Sequence, residues 1–100
     1  MKALWRNTII AEAPKEELIR IEGNWYFPPH AIRKEYFEPS NHHTTCPWKG
    51  EASYYDVVVD GERNEFGAWY YPALKDGATE RVGKNFSSYI AFWNGIEVIE

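Results

Sequence analysis

The sequence predicts a mainly β domain with antiparallel strands and little helix. Two turn signals, Gly23-Asn24 and Asn94-Gly95, each lie between runs of β-formers, where residues tolerant of positive φ close two-residue hairpins. Between them Glu51–Val59 is rich in aromatic and β-branched residues and holds neither glycine nor proline, the composition of a strand on a packed surface. At 100 residues the chain can build one core, so residues 1–100 are expected to form a single domain. Aromatic residues make up 17% of it, so large rings must supply much of the stabilisation, and most of them are expected in the core.

Residues 3–11 read as two short extended arms about Arg6-Asn7. Glu12 to Glu17 is a polar connection with room for one helical turn after Pro14. Leu18–Glu22 and Trp25–Phe27 form the first hairpin, with Glu22 opposite Trp25 and Ile21 opposite Tyr26. That register places Ile19, Ile21 and Tyr26 on one face. Pro28-Pro29 ends it, because proline has no N–H for a ladder. The spacing of Ile32 and Tyr36 predicts a short helix from Pro29 to Tyr36. Glu38 to Asn41 reads as a turn, followed by a loop, His42 to Gly50. Along Glu51–Val59 the odd positions change from polar to apolar, with the polar end beside that loop. Asp60 to Glu65 is expected as a charged loop, Phe66–Tyr71 as a returning strand closed by Pro72, and 74–88 as polar connection with a turn at Lys75-Asp76-Gly77. Ser88–Trp93 and Ile96–Glu100 form the last hairpin, pairing Trp93 with Ile96 and Ala91 with Val98.

The formal net charge of −4, with both signs interspersed, argues against a nucleic-acid partner or an anionic membrane surface, each of which needs a basic stripe. No run approaches the ~18 apolar residues of a membrane span. Met1 to Asn7 lacks the features of a signal peptide, and one cysteine excludes an internal disulfide, so the expected compartment is the reducing cytoplasm. The oligomeric state is left open.

The chemically densest stretch is His42-His43-Thr44-Thr45-Cys46-Pro47-Trp48-Lys49-Gly50. Cys46 could be a nucleophile with His42 or His43 as base and Lys49 steadying a thiolate, or a small buried hydrophobe. His42, His43, Cys46 and a distant His30 are a thin ligand set beside the four a structural zinc takes, and no metal or cofactor is expected. Lys49 with Thr44, Thr45 and the Gly50 backbone could hold an anion; equally, Gly50 could mark a bulge. Trp25, Trp48 and Trp69, with Tyr26, Tyr54 and Tyr71, come from separate segments and could wall a small-ligand cleft.

The run Thr45-Cys46-Pro47-Trp48-Lys49-Gly50-Glu51-Ala52-Ser53-Tyr54-Tyr55, with Tyr26-Phe27-Pro28, Ala68-Trp69-Tyr70-Tyr71-Pro72 and Ile90-Ala91-Phe92, resembles a small bacterial family. It is known as domain of unknown function four-two-seven and is sometimes labelled a nucleotidyltransferase. The resemblance covers nearly the whole chain. It implies a β-tent (Mss4-like) fold, similar to methionine-R-sulfoxide reductase and the cereblon thalidomide-binding domain, with antiparallel sheets meeting over a ligand cleft. Zinc-bearing relatives use four cysteines where this chain has one, so neither the metal nor sulfoxide reduction is carried over. Nor does the sequence hold the glycine-rich phosphate cradle or paired aspartates that nucleotidyl transfer would call for.

The resulting expectation is a small antiparallel β-tent of two sheets with one short helix, binding a small molecule or modified side chain in an aromatic cleft. Thr45, Cys46, Lys49 and Ser53 are the candidate floor, and Trp48, Tyr54, Trp69 and Tyr71 the walls. The alternative is an enzyme using Cys46 as nucleophile or redox centre, with His43 as base and Lys49 assisting.

Overall fold

A computed structural model describes residues 1–100. β1 (Lys2–Trp5) and β2 (Thr8–Glu12) form a hairpin around Arg6-Asn7, where φ of 51° and 58° gives the twist that suits paired strands. A single 3-10 turn after Pro14 leads to β3 (Ile19–Ile21) and β4 (Asn24–Tyr26). Then come β5 (Phe37–Cys46), β6 (Gly50–Val59) and β7 (Glu62–Tyr70), a meander of long strands. The one α-helix, α1 (Ala78–Val82), precedes β8 (Ile90–Phe92) and β9 (Glu97–Ile99). The architecture is mainly β and antiparallel with one short helix, as predicted, but that helix falls within 74–88, which was expected as polar connection. Its strands group as β2-β1-β9, β3-β4 and β5-β6-β7-β8.

The four-stranded sheet is covered on both faces, and alternation along each strand decides which side chain goes where. Val57 and Val59 of β6, Ala68 of β7, and Ile90 and Phe92 of β8 enter one core with Ala3, Ile10 and Ala11 from the β2-β1-β9 sheet. Ala52 of β6 and Ala91 of β8 face the other way. There they meet Tyr71, Ile19, Ile21 and Tyr26 of the β3-β4 hairpin, Ala78 of α1, and Phe86.

Several local expectations are corrected. The β3-β4 turn is Glu22-Gly23, with φ of 53° and 83°, so Ile21 pairs with Asn24 and Ile19 with Tyr26. The register moves by two residues, which leaves Ile19, Ile21 and Tyr26 on the same buried face. Residues 29–36 form two 3-10 turns rather than a helix. Ile32 between them is drawn extended by a bridge to Ala11, and the Arg33 N–H donates to Ile10 O at 2.8 Å. The expected turn and loop from Glu38 are mostly β5, an edge strand that tolerates Pro39 because its outer N–H groups have no ladder to serve. The charged stretch after Asp60-Gly61 is already β7. Asn94-Gly95 does turn the chain, but its arms part: β8 pairs with β7, and β9 with β1. Buried Asn64 holds the turn to β7, donating to Asn94 O and accepting from Asn94 Nδ2, each at 2.9 Å. Phe92 and Ile96 then both enter the first core, which a simple two-stranded hairpin would not allow.

The β6-β7 ladder shifts at Phe66, which takes φ of 61°. Asp56 secures this bulge: Oδ1 accepts the Phe66 N–H at 3.0 Å, and Oδ2 accepts Arg63 Nη1 at 2.8 Å. Asp56→Ala is expected to cost about 1–2 kcal/mol, the loss of one charge-assisted bond and an orphaned backbone donor. Asp56→Asn keeps an acceptor and should cost less. A urea midpoint shift at constant m-value measures both.

Candidate ligand cleft

The turn Pro47–Lys49 joins β5 to β6, with Cys46 opposite Gly50. Gly50 has φ of 125°, and a Cβ there would stand 3.0 Å from Ala73 O, so only glycine lets the segment after β7 pack this closely. That segment pins the turn. The Lys75 N–H donates to Lys49 O, and Lys75 Nζ donates to Pro47 O, each at 2.9 Å.

Held this way, Lys49 points inward and is only 5% exposed. Its ammonium pairs with Glu22 at the β3-β4 turn. It also lies 4.8 Å from the Trp48 ring centroid, 5.7 Å from that of Tyr71 and 3.9 Å from Cys46 Sγ. The hydrogen bond from Lys49 holds the Glu22 carboxyl below its ordinary range, against the opposing effect of burial. The anion at Lys49 is thus the protein's own.

Beside this pair opens a cleft of about 220 Å³. Tyr26 forms its floor, Tyr54, Trp69 and Tyr71 its walls, Lys49 one end, and Asn24 and Trp93 the rim. The rings meet edge to face: Tyr26 with Trp69 at 6.1 Å and 89°, Trp69 with Trp93 at 6.5 Å and 85°. Trp69 Nε1 donates to Tyr26 OH at 3.1 Å, and Tyr54 OH shares a 2.9 Å bond with Thr44 Oγ1. The Tyr71 hydroxyl meets no protein group, yet no fully buried side-chain polar atom lacks a partner, so it is open to the cleft. Burial pushes the Tyr26 phenol up to about 12, and burial with nearby Tyr26 pushes Tyr71 up as well. Both therefore keep their protons at neutral pH and can donate.

The family described as domain of unknown function (DUF427) matches residues 1–99. The chain belongs to the DUF427 family. No curated protein matches it. In this DUF427 domain the Thr45–Tyr55 run is the end of β5, the Pro47–Lys49 turn and the first half of β6.

Of the residues singled out from sequence, Tyr26, Lys49, Tyr54, Trp69 and Tyr71 line this cleft. Trp48 lies behind it, between the Lys49 ammonium and the Arg81 guanidinium, 4.4 Å from its ring centroid, and against Phe86. Cys46 is half-buried at the edge of the second core, beside Lys49. Thr45 is exposed opposite Glu51. Ser53 is buried but lies opposite His43, whose Nδ1 is 3.3 Å from both Ser53 Oγ and Ala52 O. The DUF427 chain does not join His43 to Cys46. In a strand, residues three apart point to opposite faces, and both lie on β5 rather than in the expected loop. His42 stacks on Phe66 at 4.2 Å and His30 binds Glu17, so the histidines do not converge. No group of three or more His, Cys, Asp or Glu side chains could hold a metal ion. Trp25 turns away from its neighbour Tyr26 and packs on the first core beneath the Arg20 guanidinium.

Sequence reasoning missed Glu22, Asn24 and Trp93. Asn24 was legible in principle, two positions from Tyr26 on the same face of β4. Nothing local marked Glu22 as the partner of a lysine on another hairpin. No helix of the DUF427 domain is long and apolar enough to cross a membrane.

Proposed function

We propose that this DUF427 domain binds a small flat molecule, or a modified side chain, in the cleft between the β3-β4 hairpin and the four-stranded sheet. The observation that carries the reading is the convergence of Lys49, Tyr54, Trp69 and Tyr71, from separate segments, around an unpartnered hydroxyl. The volume suits a single ring system rather than a drug-sized ligand, which fills roughly 300 Å³ or more. Tyr26 OH already accepts from Trp69, so its proton is free to point outward. With the Tyr71 hydroxyl and the Lys49 ammonium, the inward polar groups are chiefly donors. The ligand therefore presents acceptors at its edge and a flat face to Trp69 and Tyr54. Lys49 and Glu22 offset each other, which favours a ligand of little net charge. A tent-like arrangement of sheets over the cleft and a cytoplasmic location belong to the same reading; the single cysteine supports the latter.

The test is a thermal-shift screen of single-ring heterocycles, followed by tryptophan-fluorescence titration. Tyr71→Phe removes one hydrogen bond and should weaken a hit about tenfold, equivalent to ~1.4 kcal/mol. Trp69→Leu should weaken it further, and Trp25→Phe, on the other face, should leave it unchanged. Hits that bind Trp69→Leu and Tyr71→Phe as well as the parent would sink the proposal.

A further inference from the structure

The only thiol in the chain lies beside one of its best-buried ammonium groups. Cys46 closes β5, Lys49 ends the turn, and Cys46 pairs with Gly50, so both side chains are anchored at fixed points three residues apart. Cys46 Sγ and Lys49 Nζ are 3.9 Å apart, and the turn between them is pinned through Lys75. Lys49 is 5% exposed, and a carboxylate, Glu22, receives its N–H. A half-buried thiol admits a small oxidant but is poorly placed to meet a thiol on another chain. Once oxidised to sulfenic acid, a cysteine is normally resolved by a second thiol. Here there is none, and the group within reach is an amine.

We propose that Cys46 and Lys49 are a modification site, joined under hydroperoxide by a reversible nitrogen–oxygen–sulfur bridge. In the first step the Cys46 sulfur attacks the terminal oxygen of a hydroperoxide. The O–O bond breaks, Cys–SH becomes Cys–SOH, and the corresponding alcohol, or water, leaves. In the second step the Lys49 ammonium passes one proton to solvent by way of the half-exposed Glu22 carboxylate, giving the amine. Amine, sulfenic acid and a second hydroperoxide then yield Cys–S–O–NH–Lys, one alcohol and one water. The new N–O bond forms as one N–H and the sulfenic O–H are lost, and the second hydroperoxide takes up the two electrons. The bridged nitrogen is a feeble base, so Glu22 loses its cation and the cleft loses a charged donor. The inference does not rest on the ligand reading, because its test needs no ligand.

The experiment treats the native chain with hydrogen peroxide and reads intact mass and tryptic peptides. The expected product gains one oxygen and loses two hydrogens, reverts with dithiothreitol, and resists trypsin after Lys49, so one peptide runs from Glu35 to Arg63. In urea the same treatment should give only whole-oxygen additions, since the fold no longer holds the two groups together. Lys49→Arg should stop at a sulfenic acid that dimedone traps, and Cys46→Ser should leave the segment from Glu35 to Arg63 unmodified, Met1 oxidation aside. Only whole-oxygen additions on the Cys46 peptide, or a disulfide dimer, from the native chain would overturn the proposal. So would a bridge that forms equally well in urea. A sulfoxide at Met1 is read separately on its own peptide. The urea comparison uses the parent chain, so the result stands even if a variant misfolds.

Discussion

Replacing Phe86 with alanine is expected to lower the unfolding free energy by about 3–5 kcal/mol, the range for emptying a fully buried aromatic site. Phe86 has no exposed surface, although it belongs to no strand or helix. Its ring is edge-on to Tyr26 at 6.0 Å, to Tyr71 at 6.2 Å and to Trp48 at 6.3 Å. It thus underpins both cleft tyrosines and the tryptophan behind Lys49. The neighbours cannot close the void, because each is tied elsewhere: Tyr26 to Trp69, and Trp48 to two cations. Against a typical stability of about 5–15 kcal/mol, the variant should be marginal at 37 °C. Phe27→Ala, equally buried but in the first core, should cost a similar amount. The two are told apart by the cleft. In urea titrations both midpoints fall, whereas the fluorescence environment of Trp69 in the folded state should change only for Phe86→Ala. A loss below about 1 kcal/mol at Phe86 would mean that the site collapses freely and does not shape the cleft.

The second large effect is an asymmetry within one ion pair. The Lys49 side chain is 6% exposed and that of Glu22 56%. Removing Glu22 strands an ammonium in a nearly dry site, whereas removing Lys49 leaves a carboxylate that water can reach. Breaking a fully buried pair costs about 3–5 kcal/mol. With water on the Glu22 side, Glu22→Ala should cost about 2–3 kcal/mol and Lys49→Met about 1 or less. The acid dependence follows from the depressed carboxyl of Glu22, whose ordinary value is 4.5. Between that value and the lower folded one, the unfolded chain binds more protons than the folded chain, so stability rises with pH through this window. The contribution is complete above about pH 5 and is lost as pH falls through the folded value. Urea titrations of the parent and Glu22→Gln from pH 3 to 7 should therefore converge at the acid end. A constant gap at all pH values would show that the carboxyl is not engaged.

These effects rest on features that the sequence displays unevenly. Composition placed Tyr54 and Trp69 on two strands, and the ladder sets them directly opposite each other on one face, because a face depends only on odd or even position. The same property protected the first hairpin: its register was off by two, and every side chain still kept its side. β5 was hidden because an edge strand exposed over most of its length has no hydrophobic alternation to display, and Pro39-Ser40-Asn41 has the chemistry of a turn. Asn94-Gly95 specified a turn but not the destinations of its arms, which Asn64 and Ile96 decide from a distance. Lys49 was noticed, but its burial depends on Lys75, Glu22 and Gly50 acting together. No periodicity records contacts between three separate segments.

The ladder between β1 and β9 has a mechanical consequence. Lys2 stands opposite Ile99 and Leu4 opposite Glu97, so both ends of the chain leave from the same end of one antiparallel pair. Antiparallel hydrogen bonds run perpendicular to the strands. Tension drawn between residues 1 and 100 therefore loads these bonds one after another, starting at the Lys2–Ile99 pair, rather than shearing them together. The domain would unzip from its ends at low force, and β9 would peel from β1 while the β5-β6-β7-β8 sheet and the cleft it carries were still intact.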